Sequence, residues 1–172
     1  MTSSREDNLI ATIDKAFADV RLEDGVSLNM TEYNDSGGSA KHYAERAKQD
    51  ERMDWHRIDG KTLQKFTATF SFTDLKGFRF YIPAYMTWTI RNYRTSDSII
   101  SDFTIYAINP EHHLFRDVPL TTWFTESQVA AMAQFLQYAC DNDDNLDGTV
   151  ARQNLQKLRA GHQLDSDTEV AL

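Results

Sequence analysis

Apolar positions recur at helical spacing near both ends of the chain. Between Ser3 and Val20, Ile10, Ile13, Phe17 and Val20 share one stripe, with Asp14, Lys15 and Asp19 off it; this predicts an amphipathic helix. Ser3 and Glu6 occupy capping-box positions, where each side chain satisfies the other's free amide. The pattern is cleaner in FTESQVAAMAQFLQYAC. There Thr125 and Gln128 form the box, and Val129, Met132, Ala133, Leu136 and Cys140 form the stripe. In YNDSGGSA, Gly37 and Gly38 stop a helix and Ser39 can cap the next. Ala40, Tyr43, Ala44 and Ala47 then make a narrow stripe beside the charged KQDER, so a half-exposed helix is predicted. DWHRIDG reads as a turn, tightest at Asp59–Gly60. A weaker last helix spans Val150 to Ala160 and is ended by Gly161.

The middle of the chain fits two periods. In KFTATFSFT, Phe66, Ala68, Phe70 and Phe72 alternate with polar residues, yet Leu63, Phe66 and Phe70 also fit a helix. In GFRFYIPAYMTWTIRNY, Phe78, Phe80 and Ile82 alternate, whereas Phe78, Ile82, Tyr85, Met86 and Thr89 follow a helical stripe. Pro83 lacks an amide hydrogen and must begin or kink a helix. The balance favours a helix starting near Thr73 or Asp74 and kinked around Pro83. SIISDFTIYAINP is β-rich, and the alternation from Thr104 to Ile108 predicts a short strand stopped by Asn109–Pro110.

These elements predict a single compact domain, mainly α with a small β element (α or α+β), of about five or six helices. The Phe66–Tyr93 block should pack against the helices at Ile10–Val20 and Thr125–Cys140. Residues 1–140 form the helical domain, 141–161 an acidic loop with the last helix, and 162–172 a loose tail.

The chain has 172 residues, 41% of them hydrophobic and 12% aromatic, enough to build a core. Its formal charge of −8 repels phosphate backbones, which argues against nucleic acid as a partner. It favours a basic protein or a cation. The longest apolar run, GFRFYIPAYMTWTI, is interrupted by Arg79 and falls short of the roughly 18 residues that a membrane span needs. The single cysteine, Cys140, allows no internal disulfide and suits a reducing compartment. The N-terminus lacks a signal-peptide pattern. A soluble cytoplasmic protein with neither a nucleic-acid nor a membrane partner is expected.

Several blocks together carry a resemblance. DKAFADVRLEDGVSL, DERMDWHRID, FSFTDLKGFRFYIPAYM and FTESQVAAMAQFLQY resemble the successive blocks of a small bacterial family of uncharacterised proteins, with an aspartate-tryptophan pair and an FRFYLPAY-like aromatic helix. The resemblance covers residues 10–140, and its most specific part is Gly77 to Tyr85. It implies a helical fold and no particular reaction.

Candidate chemistry is sparse. DNDDNLDGTV resembles a calcium loop: with Gly148 at position six, Asp143, Asn145 and Asp147 supply oxygens at positions one, three and five. The twelfth position holds Asn154 where a bidentate glutamate is wanted. The competing reading is a polar connector in which Asp147 or Thr149 caps the last helix. Adjacent His112 and His113 suit a shared metal poorly, and His42 with Glu45 lacks a second pair of ligands. Cys140 lies on an apolar stripe and reads as a small core residue. The aromatic block reads first as core. Within and beside it, Asp54, Trp55, Arg79, Tyr81 and Tyr85 combine rigid rings, polar tips and one guanidinium. Those types are enriched at protein–protein hot spots and in ligand clefts. No cofactor is expected, and no recognisable catalytic set is present. The first expectation is therefore a non-catalytic interaction module, of inhibitor or immunity type, facing a basic protein. The alternative is an enzyme or ligand-binding domain with its site around Trp55, Arg79, Tyr81 and Tyr85.

Overall fold

A computed structural model describes residues 4–116 and 118–162. The first helix, α1 (Ser4–Ala16), buries Ile10 and Ile13 of the predicted stripe together with Leu9; it ends short of Phe17 and Val20, which are buried beyond its last turn. Ser3, the expected cap, lies outside the described residues. The proposed partner of that cap, Glu6, is 2% exposed. Next come α2 (Leu28–Ser36), closed by Gly37, and α3 (Ala40–Ala47), where Ser39 accepts a hydrogen bond from the His42 amide. A 3-10 turn at Trp55–Arg57 leads to α4 (Gly60–Lys65), and α5 (Thr69–Phe72) follows. Asp59 is thus a helix cap: its side chain accepts from the amides of Lys61 and Thr62.

The longest helix is α6 (Leu75–Asn92). It starts where Asp74 caps it, accepting from the Gly77 amide at 2.8 Å and also from the Val26 amide at 3.1 Å. Pro83 lies inside this helix, so the Arg79 carbonyl loses its usual donor. From Gly77 to Ile90 nearly every side chain is buried, because neighbours cover α6 on several sides.

α7 (Ile100–Ala107) replaces the strand expected over Thr104–Ile108. Among the described residues there is no strand at all, so the small β element is absent. The physical reason is specific. Ile100, Thr104, Ile105 and Ile108 point inward, while Ile99, Phe103 and Tyr106 remain exposed. Apolar residues on both sides of one short helix erase its polar face, and what remains imitates alternation.

A second 3-10 turn, Leu120–Thr122, precedes α8 (Glu126–Cys140), whose Thr125–Gln128 capping box forms as predicted. Gln128 also donates to the Ala16 carbonyl at 3.1 Å, tying the start of α8 to the end of α1. α9 (Gly148–His162) begins earlier than expected and continues through Gly161. The described residues therefore hold nine α-helices, not five or six. The short ones are too brief to show a stripe of their own.

α1 lies between α6 and α8, α9 covers α8 and α7, and α7 also packs on α6. Phe66, Phe70, Phe78 and Tyr85 join the same core as Ile13, Phe17 and Leu136. Leu146, Ala151, Leu155 and Leu158 belong to it as well, so residues 141–161 share the core of the preceding helices. At one edge a polar network closes the structure. The Glu6 carboxylate accepts from Arg94 Nη1 at 2.6 Å and from the Tyr138 hydroxyl at 2.7 Å. Tyr138 also meets the Tyr93 hydroxyl at 3.2 Å, and Tyr93 donates to Asn142 at 2.8 Å.

Candidate functional site

The aromatic candidates are mostly structural. Trp55 is buried, donates its indole N–H to the Phe17 carbonyl at 3.0 Å, and lies under the His56 ring at 3.6 Å between centroids. Tyr81 accepts from the Leu28 amide at 3.2 Å. Tyr85 donates to the Phe66 carbonyl at 2.6 Å and meets the Thr69 hydroxyl at 2.8 Å. Burial raises both phenols well above their ordinary range. Each hydroxyl holds a neighbouring loop or helix end against α6. Arg79 is half-buried, and its Nε has no hydrogen-bond partner among the described residues. It pairs with neither Asp54, which binds His56, nor Asp74, which caps α6. Asp54 and Trp55 thus adjoin one another, while Tyr81 and Tyr85 direct their hydroxyls to Leu28, Phe66 and Thr69.

The acidic stretch does not fold as a calcium loop. α9 starts at Gly148, so the second half of the would-be loop is already helix. Asn154 is buried and donates to the Ile105 carbonyl at 2.9 Å, away from the loop. Asp147 accepts from the Val150 amide at 3.0 Å and from the Tyr106 hydroxyl at 2.9 Å. That is the capping role. Asp143 and Asn145 are exposed on the same turn. Among the described residues, no group of three His, Cys, Asp or Glu side chains is placed to hold a metal. Burial pushes the Cys140 thiol up, which suits an inert core residue.

Two surface features stand out instead. The first is the outer side of α7. Three of the four large apolar side chains exposed among the described residues lie there: Ile99 at 53%, Tyr106 at 41% and Phe103 at 38%. They follow i, i+4, i+7 spacing, so they line one stripe, and the Phe103 and Tyr106 rings meet edge to face at 6.2 Å. Asp102 and Asp147 stand beside them. Burial, and then the Asp147 charge, raises the Asp102 carboxyl. Among the described residues no cation pairs with either acid. The stripe was present in SIISDFTIYA, hidden by the second stripe facing inward.

The second feature is an open cleft of about 870 Å³ between α6 and the segment running from Trp55 to Gln64. At its edge His56 is held by two acids, Nδ1 at 2.8 Å from Asp54 and Nε2 at 3.2 Å from Asp14. The hydrogen bond from His56 holds the Asp54 carboxyl below its usual range. Of the residues expected to form a site, Trp55 lines the cleft and Asp54 reaches it only through His56, whereas Ala84, Thr87 and Arg91 on α6 give no such signal in the sequence.

The sequence profile of a family of unknown function, DUF6714, matches residues 5–160. The chain belongs to this family. The match extends past residue 140 and takes in the acidic turn and α9, in keeping with their place in the core. No curated protein and no solved structure matches the chain. Among the described residues, no helix is long and apolar enough to cross a membrane.

Proposed function

We propose that this member of the DUF6714 family is a non-catalytic interaction module that presents the outer face of α7 to a basic protein partner. The observation that carries this reading is the exposed stripe Ile99, Phe103 and Tyr106 on a helix whose opposite side is already buried. A helix apolar all round is normally enclosed, and exposed apolar patches flanked by polar groups mark contact sites. Asp102 and Asp147 supply the polar flank and, lacking cations of their own, would pair with Lys or Arg of the partner. The net charge of −8 would speed such an encounter at low salt. An inhibitor or immunity-type role in the cytoplasm fits these features.

The reading is tested by titrating isotope-labelled protein with an amphipathic Leu/Lys helical peptide and following backbone amide resonances. The expected result is perturbation centred on residues 99–107, lost in Ile99→Asp and weakened by added salt. Perturbation scattered over the whole surface, or equal binding of a Leu/Glu peptide, would overturn it.

A further inference from the structure

The cleft beside His56 has the make-up of a ligand site. One wall is a single face of α6: Ala84, Thr87, Trp88 and Arg91 recur at helical spacing and all line it. The other wall comes from Ile58, Gly60, Lys61 and Leu63. Gly60 lets the walls approach, since a Cβ there would fall 2.9 Å from Trp88 Nε1. A volume of about 870 Å³ suits a small organic molecule.

Among the described residues, three polar groups in the cleft lack partners of their own. Thr87 is 7% exposed, and its buried hydroxyl has no hydrogen bond among the described residues. An orphaned buried hydroxyl is costly and calls for an explanation. Arg91 and Lys61 are exposed, and neither forms an ion pair among the described residues. The acids nearby are engaged: Asp59 caps α4, while Asp14 and Asp54 share His56.

We propose that this cleft binds a small organic carboxylate with a flat apolar body. Arg91 receives the carboxylate, Thr87 hydrogen-bonds it at the floor, and the body lies along Trp88, Ala84 and Leu63. A guanidinium pairs with a carboxylate through two parallel hydrogen bonds. The proximity of Asp14 and Asp54 disfavours a doubly charged phosphate, so one negative charge suits the site best. The site is independent of the α7 surface and shares no residue with it.

The experiment is ligand-observed NMR on the full chain with 1-naphthoate, its neutral amide and phenyl phosphate. The first should bind, and the neutral amide should bind at least about tenfold more weakly, as expected for the loss of a charge-assisted pair. Arg91→Gln, at an exposed position with no ion pair to break, should weaken 1-naphthoate by a similar factor. Thr87→Val should also weaken it while leaving the melting temperature unchanged or higher, because it removes an unsatisfied hydroxyl. Equal binding of acid and amide, wild-type affinity in both variants, preference for phenyl phosphate, or no binding of 1-naphthoate at millimolar concentration would each overturn the assignment.

Discussion

Arg94 and Glu6 are 88 positions apart in sequence, and Arg94 Nη1 lies 2.6 Å from a carboxylate oxygen of Glu6. The acid is enclosed while the guanidinium is half open to solvent. Tyr138 adds a second donor to the same oxygen. The first helix, the end of α6 and α8 are thereby held through one carboxylate. Removing only the cation leaves that carboxylate enclosed with less compensation. Arg94→Met should cost about 1–3 kcal/mol in urea unfolding. Glu6→Gln combined with Arg94→Met should cost less than the two single changes added together, since the pair acts as a unit. Strict additivity would mean that the contact contributes nothing.

Gly77 is fixed by crowding. A Cβ there would collide with Thr73 Oγ1 and fall 2.8 Å from the Val26 carbonyl, which is backbone and cannot swing aside. Gly77→Ala should therefore destabilise by about 2 kcal/mol or more, although alanine is the better helix former. For a chain of this length, differential scanning calorimetry should read that as a fall in melting temperature of roughly 4–8 °C.

His112 gives a pH signature. Burial first, and then the neighbouring His113, pushes its ring down from 6.5 to about 4. The ring Nδ1 also accepts from the Leu114 amide at 3.4 Å, which holds the neutral form. The unfolded chain takes up this proton near pH 6.5, and the folded protein resists it until about pH 4. Stability should be complete above pH 6.5 and decline on acidification through that window. The slope should be under about 1.4 kcal/mol per pH unit, discounted because the ring is partly open. His112→Gln should flatten the decline in urea midpoints measured between pH 7.5 and 5.

The acidic turn should behave as a cap. Asp147→Ala removes the acceptor for the Val150 amide and for the Tyr106 hydroxyl, and should cost about 1 kcal/mol. Melting curves recorded in millimolar calcium and in chelator should coincide. A calcium-specific rise would show that the turn can rearrange around the ion.

Long helices with one wet face were legible in the sequence. The stripe of α8 and its Thr125–Gln128 box formed as read, and so did the Ser39 cap of α3. Two kinds of feature were not legible. The two apolar sides of α7 imitate the alternation of a strand, and the outer of those sides is the proposed docking face. The polar tips of Tyr81 and Tyr85 suggest a site when only the sequence is read. Those tips serve the Leu28 amide and the Phe66 carbonyl, partners that only the tertiary fold brings near. The cleft was half visible through Asp54 and Trp55. Its α6 wall was hidden, because Thr87, Trp88 and Arg91 sit in a run whose other residues are core.

The hydrogen bond from Asn154 to the Ile105 carbonyl has a practical consequence for anyone shortening this protein. A fragment ending near Asp141 would keep every recognisable sequence block of the aromatic domain and still lose the cover over α7 and α8. Ile105, Phe135 and Leu136 lie in the core that α9 helps to enclose, and in such a fragment they would meet water. It should be recovered as aggregates or with a chaperone. A fragment that keeps α9 whole should keep that cover.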